Sequence, residues 1–170
     1  AITSIIKSIF YLNDTDKNVN KTATYCASLI AFIVVQSLAF ISNHIGVLWV
    51  FIEATTIFCG LLVINRGDIN SIEAAWKYVL VCTVCLSLAF VGIVLFSIST
   101  GVNKGDILFF DNMPNITNYA GINLYKISFL FIVVGFGVKM AMAPIHSVTI
   151  DAYGSAPGPV SALFSGSMLN

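Results

Sequence analysis

Charge is what this sequence has least of. Of its 170 residues, 9% are Asp, Glu, Lys or Arg, against about 25% in an ordinary soluble domain. A soluble fold so poor in charge could not cover its surface, whereas a bilayer asks for no such cover. The eight basic and eight acidic residues cancel, and no basic patch or aromatic-interleaved cationic stripe appears, which argues against nucleic acid as a partner. Flavin, haem and iron–sulfur motifs are missing too, so no cofactor is expected and the chain is read as transferring no electrons itself. Metal-site or redox spacing is confined to Cys82-Thr-Val-Cys85. Without a second ligand pair or a nearby histidine, it does not supply four zinc ligands. All four cysteines (Cys26, Cys59, Cys82, Cys85) lie inside apolar stretches, which suits small packing side chains better than a secreted disulfide framework.

What is abundant is apolar: 58% of residues are hydrophobic and the mean hydropathy is +0.92. A helix crossing the hydrocarbon needs about 20 mostly apolar residues. Such runs occur at about 25–42, 46–65, 74–98 and 124–145, the first without a single charge. Asn43-His44 breaks the first pair, Arg66-Gly-Asp68-Ile-Asn70 reads as a turn, and a longer polar link at about 99–123 carries Gly101, Lys104, Asp106, Asp111 and Pro114. Residue 1 is Ala, 1–12 reads as the last turns of a helix already under way, and 158–170 reads as the start of a further helix. The expected fold is therefore an all-α membrane protein. It is a bundle of about four complete transmembrane helices with partial helices at both ends, one helix being broken near Pro144. All of 1–170 is expected to be one transmembrane domain within a longer subunit.

If the spans alternate, Lys17, Lys21 and Arg66 share one side, with Lys77 just inside it. Lys104 lies in the opposite loop and Lys126 at that side's membrane edge. Positive charge collects on the cytoplasmic side, which places the first set inside.

The buried charges carry the functional question. Gly46, Glu53 and Gly60 are seven residues apart, so they share one face of the second span, with Trp49 and Thr56 close by. A small and polar stripe on an apolar helix belongs against protein. Two readings are open for Glu53: a protonated acid hydrogen-bonded to a neighbouring helix, or a carboxyl on an ion pathway, where such costly groups are usually found. Lys139 is thirteen residues beyond Lys126, about 20 Å along a helix, so it is either deep in the membrane or snorkelling to the far surface. Pro144 and His146 follow it, with Gly135 and Gly137 before it. Proline frees a backbone carbonyl, and broken helices occur where backbone lines a polar cavity. Lysine, helix break and histidine together have the parts of a proton relay, although His146 alone could be a packing partner. Lys77 sits about one turn inside its span and could also snorkel. After it, Tyr78, Cys82, Cys85, Ala89 and Gly92 step by four and three, a close-packing helix face. His44 falls in a turn and reads as interfacial.

Several strings then occur in a familiar order. They are Leu48-Trp-Val-Phe-Ile-Glu53-Ala-Thr-Thr56, Glu73-Ala-Ala-Trp-Lys77-Tyr78, Gly135-Phe-Gly-Val-Lys139, Ala143-Pro144-Ile-His146, Asp151-Ala152 and Ala156-Pro157-Gly-Pro159-Val-Ser-Ala-Leu163. Together they resemble the antiporter-like proton-conducting subunits shared by respiratory complex I, membrane-bound nickel–iron hydrogenases and Mrp-type sodium/proton antiporters. The glutamate followed by Ala-Thr-Thr resembles the hydrogenase-4 and formate hydrogenlyase branch. The resemblance runs over nearly the whole chain from about Asn43. It implies a subunit of about fourteen helices with two inverted repeats, of which this chain would run from the end of the third helix to the start of the eighth. By the same resemblance Glu53 matches a fifth-helix glutamate, Lys77 a sixth-helix lysine, Lys139 the lysine of a broken seventh helix and His146 a histidine on the hydrophilic axis. It also implies a Glu53–Lys139 ion pair. Val148 and Ile150 depart from the tryptophan and proline usual after the histidine.

The implied activity is translocation of protons, or exchange of sodium for protons. It would belong to a non-catalytic, multi-pass subunit of a redox-driven complex, a hydrogenase or an NADH-quinone dehydrogenase, in a prokaryotic plasma membrane. Its partners would be the lipid bilayer and the other membrane subunits of that assembly. A gradient-driven Mrp-type antiporter and a structural membrane anchor are the rivals. The anchor has no need of Glu53 and Lys139.

Overall fold

The computed structural model describes residues 8, 19–65, 67–99, 108–112, 122–143 and 145–167. Of the expected partial helix 1–12 only Ser8 falls among them. Lys17, Arg66, Lys104 and Pro144 lie outside them, as do residues 168–170. Among the described residues six helices and no strand occur: α1 Val19–Ile41, α2 Ile45–Ile64, α3 Ile69–Ser99, α4 Ile122–Gly137, α5 His146–Ser155 and α6 Gly158–Ser167. The protein is all-α, and α1, α2 and α3 are each long and apolar enough to cross a membrane. α4 is apolar but has 16 residues, about 24 Å of helix, less than the hydrocarbon thickness of about 30 Å.

Local chemistry sets the helix ends. His44 stands at the N-cap of α2, where its Nδ1 accepts hydrogen bonds from Gly46 N and Val47 N at 3.1 and 3.3 Å. These amides would otherwise be unpaired. The same corner is tied to the polar link: Ile45 N donates to Leu108 O, Phe110 N donates to Asn43 O, and the His44 and Phe109 rings meet edge to face at 5.0 Å. At the other end of α2, Gly67 takes φ 81, the left-handed conformation a Cβ disfavours. Its N–H closes onto Ile64 O at 2.9 Å. Asp68 then precedes α3, and its carbonyl accepts from Ser71 N, Ile72 N and Ser71 Oγ.

α3 is the central element, packing along α2 and α4 and touching α5. Its 31 residues make about 46 Å of helix, well beyond the hydrocarbon alone. The stripe Tyr78, Cys82, Cys85, Ala89 and Gly92 is buried along its length. Trp76, Leu80, Val84, Val91, Val94 and Ile98 are exposed on the other side, the face suited to lipid. Trp49 of α2 donates its indole N–H to Leu86 O at 2.7 Å and packs on Phe90. α6 docks back on the bundle through Phe164, whose ring meets Phe32 of α1 and Tyr153 of α5.

The α3–α4 seam depends on absent side chains. A Cβ at Gly135 would lie 2.4 Å from Ala89 Cβ and 2.6 Å from Ala89 N, and one at Gly92 would lie 2.9 Å from Ile132 N. Backbone cannot yield as a side-chain tip does, so the helices would have to part. Gly135→Ala is therefore expected to cost about 1–3 kcal/mol, read as a lower unfolding midpoint in detergent. Gly154→Ala, at a helical site with nothing within 4 Å, should leave the midpoint unchanged or slightly raised. Equal effects of the two would contradict this account of the seam.

Candidate functional site

The fourth apolar run does not continue as one helix to 145: α4 stops at Gly137 and the chain becomes helical again at His146. The stop has a recognisable construction. Met142 N donates to Gly137 O at 3.0 Å and Ala141 N donates to Val138 O at 3.2 Å, with Ala141 at φ 50. This is the paired six-to-one and five-to-two bonding of a Schellman ending. Here alanine occupies the left-handed position that glycine usually takes, at a cost of about 1–2 kcal/mol. Gly137 leaves room for Met142, whose Sδ lies 3.2 Å from where a Cβ would be. Lys139 lies within this last turn, and its side chain reaches across to α3.

There Lys139 Nζ donates to the Tyr78 hydroxyl at 3.0 Å. The nitrogen is 5.2 Å from the ring centroid, so the oxygen and not the ring face is its partner. Tyr78 is 2% exposed, and the thiols of Cys59 and Cys82 lie in the neighbourhood of its hydroxyl. Buried phenols usually find such partners. Lys139, half-buried, is thus held in a pocket made by α2, α3 and the turn after α4.

Glu53 belongs to the same neighbourhood but not to the same bond. It lies within electrostatic reach of Lys139 and of Cys82, yet no contact within 4.0 Å joins carboxyl to ammonium. The implied Glu53–Lys139 ion pair is therefore absent from this structure, in which the Tyr78 hydroxyl is the ammonium's hydrogen-bond partner. The nearby hydroxyls do not serve Glu53 either: Thr55 and Thr56 both donate back to Ile52 O, at 2.6 and 3.2 Å. Glu53 Oε2 is buried with no hydrogen-bond partner among the described residues. Its helix face does meet protein, since Thr56 is fully buried and Gly60 abuts Val79 of α3.

Lys77 and His146 are not drawn into this cluster. Lys77 pairs with Glu73 at 2.6 Å on the exposed side of α3, with Asp151 of α5 the next acid in its field. His146 is exposed at the first position of α5. Tyr78 was legible in the sequence only as part of a packing stripe. The signal that sets it apart is a hydroxyl at the head of an otherwise small and apolar row, facing a turn that arrives from 61 residues away.

Residues 42–170 match a transmembrane family described as NADH:quinone oxidoreductase/Mrp antiporter. Among curated proteins, the chain is 36% identical over 138 residues to a hydrogenase-4 component F homolog of Methylacidiphilum infernorum, covering 79% of this chain and 29% of that protein. It is 32% identical over 127 residues to NADH-quinone oxidoreductase subunit N of a Paenibacillus species, covering 73% and 24%. To NAD(P)H-quinone oxidoreductase subunit 2 of a Nostoc species it is 29% identical over 174 residues, covering 97% and 31%. The chain thus spans less than a third of the length of these relatives.

Proposed function

The chain belongs to the NADH:quinone oxidoreductase/Mrp antiporter transmembrane family, and on that footing we propose that it forms part of a path that moves protons, or exchanges sodium for protons, across a prokaryotic plasma membrane. The observation that carries this reading is Lys139, placed by a strained helix ending against Tyr78 and within electrostatic reach of Glu53. An ammonium and a carboxyl that do not neutralise each other at contact are costly inside a membrane and are usually found on ion pathways. An anchor needs neither.

In this reading Glu53 favours the charged form of Lys139, as an opposite charge nearby does. Weakening that attraction, by protonating the carboxyl or moving its helix, lets Lys139 release its proton across the break towards the imidazole of His146. Lys77, exposed beside Glu73 and one residue before Tyr78, stands at the water end of the path. Two of the relatives are named as components of hydrogenase-4 and of NADH-quinone oxidoreductase, which favours a redox-driven complex, with its other membrane subunits as partners, over gradient-driven exchange.

Native mass spectrometry of the complex, extracted in mild detergent, tests the assignment. Hydrogenase or NADH dehydrogenase subunits are expected to co-purify, and adding their electron donor to inside-out vesicles should acidify the lumen. Co-purification with small antiporter subunits alone would shift the reading to gradient-driven exchange. An isolated chain with no donor-dependent acidification would remove it.

A further inference from the structure

Lysine in a proton path must be stable in two forms, as ammonium and as amine, and few neighbours suit both. A carboxylate in contact stabilises the ammonium and leaves the amine facing a charge it cannot answer. A buried carbonyl accepts from either form but offers no donor to the amine's lone pair. A phenol does both, because its oxygen accepts and its O–H donates.

The structure gives Lys139 such a neighbour: we propose that Tyr78 is the positioning residue of the ion path, holding Lys139 in both its protonated and its released state. When Lys139 is an ammonium, Nζ donates to the Tyr78 oxygen at 3.0 Å, as the structure records, and the phenolic O–H is left to turn to the sulfur of Cys59 or Cys82, both in its buried neighbourhood. When an N–H bond of Lys139 breaks and its proton passes to the next carrier, the O–H rotates from sulfur to the new lone pair on nitrogen. The phenol keeps its own proton throughout, so Tyr78 changes the direction of its hydrogen bond and not its charge. Thiols suit this exchange: as weak acceptors they release the hydroxyl at little cost.

Burial supports the assignment. Tyr78 is 2% exposed, Cys59 0% and Cys82 1%, so the hydroxyl has protein partners for either direction. The titratable groups facing this point are Glu53 and Cys59 from α2, Cys82 from α3, Tyr153 from α5 and Lys139 itself. Of these only Lys139 meets the hydroxyl as a cation.

The inference rests on Lys139 being the ion-carrying group, so the test pairs two sites in native membranes carrying the full subunit. Tyr78→Phe keeps the ring and removes the hydroxyl. It is expected to leave the complex assembled and to lower donor-driven proton flux about tenfold. Difluorotyrosine at position 78 restores the hydroxyl and should recover most of the flux. Its more acidic phenol donates better to the amine, which should shift the rate–pH profile to lower pH. Wild-type flux in Tyr78→Phe overturns the role of Tyr78, while Lys139→Ala, measured alongside, reports separately on the ion path. Should Tyr78→Phe fail to assemble, the difluorotyrosine profile decides, and one that superimposes on wild type overturns the inference. Flux retained in Lys139→Ala removes the underlying reading and the inference with it.

Discussion

Lys139→Ala is expected to lower donor-driven proton flux by roughly a hundredfold or more, the scale on which a positioned proton-transfer group contributes, with the complex still assembled. Little of that effect should come from unfolding. Lys139 is half-buried, and its side-chain hydrogen bond is to Tyr78, which keeps the thiols of Cys59 and Cys82 after truncation. The backbone bonds of the helix ending use Phe136, Gly137, Val138, Ala141 and Met142, and alanine at 139 keeps all of them. Assembly can be read on a native gel and flux by acidification of inside-out vesicles. Wild-type acidification in the variant would remove Lys139 from the ion path.

Glu53→Gln is expected to slow flux by about tenfold to a hundredfold. The substitution preserves volume and removes the charge, with an amide NH2 in place of one carboxylate oxygen. Unit charges about 6–12 Å apart at an effective dielectric constant near 20 interact by roughly 1.4–2.8 kcal/mol, and every 1.4 kcal/mol is tenfold in an equilibrium. Without that attraction the ammonium of Lys139 is less populated and less flux passes through it. Glu53 Oε2 forms no hydrogen bond among the described residues, so the amide leaves no protein donor stranded. Coupling is the sharper measurement. If Glu53 acts through Lys139, the double variant should be no slower than Lys139→Ala alone, whereas independent roles would multiply. Multiplicative losses would separate the two residues.

The spans were legible because a bilayer imposes length and composition together. The runs at 25–42, 46–65 and 74–98 correspond to α1, α2 and α3, whose helical limits extend beyond the apolar core into Val19–Ala23 and Ile69–Glu73, residues that hydropathy alone leaves out. The packing face on α3 was legible from its small residues. A helix break near Pro144 was expected, and the chain does break between α4 and α5. That α4 ends as early as Gly137 was not legible, because it does so through hydrogen bonds and a left-handed alanine that no composition rule marks. α5 was missed as a separate helix for the same reason.

The site was half visible. Glu53 and Lys139 stand out because charge is rare in apolar runs, and the structure does bring them into one neighbourhood. They do not pair directly; the ammonium bonds Tyr78 instead, a contact set by how α3 and the turn after α4 meet in space. The corner formed by Asn43, His44, Leu108 and Phe109 was likewise hidden. It joins the start of α2 to a loop on the far side of α3 in sequence.

Tyr78 follows Lys77 directly in α3, and Lys77 pairs with Glu73 on the exposed side of that long helix. Lys139, bonded to Tyr78, therefore sits near the level of Lys77, and in the proposed path, with Lys126 at the opposite membrane edge, it lies up to about 20 Å from that edge. The ammonium is off centre. Across a core of about 30 Å, a proton reaching it from the Lys126 side crosses about two thirds of the transmembrane voltage. That is worth about 1.5 kcal/mol per 100 mV, against roughly 0.8 from the other side. In the proposed path, loading from one side and release to the other carry the proton the same way through the field, so a membrane potential would act on both with one sign and about twice as strongly on the longer step.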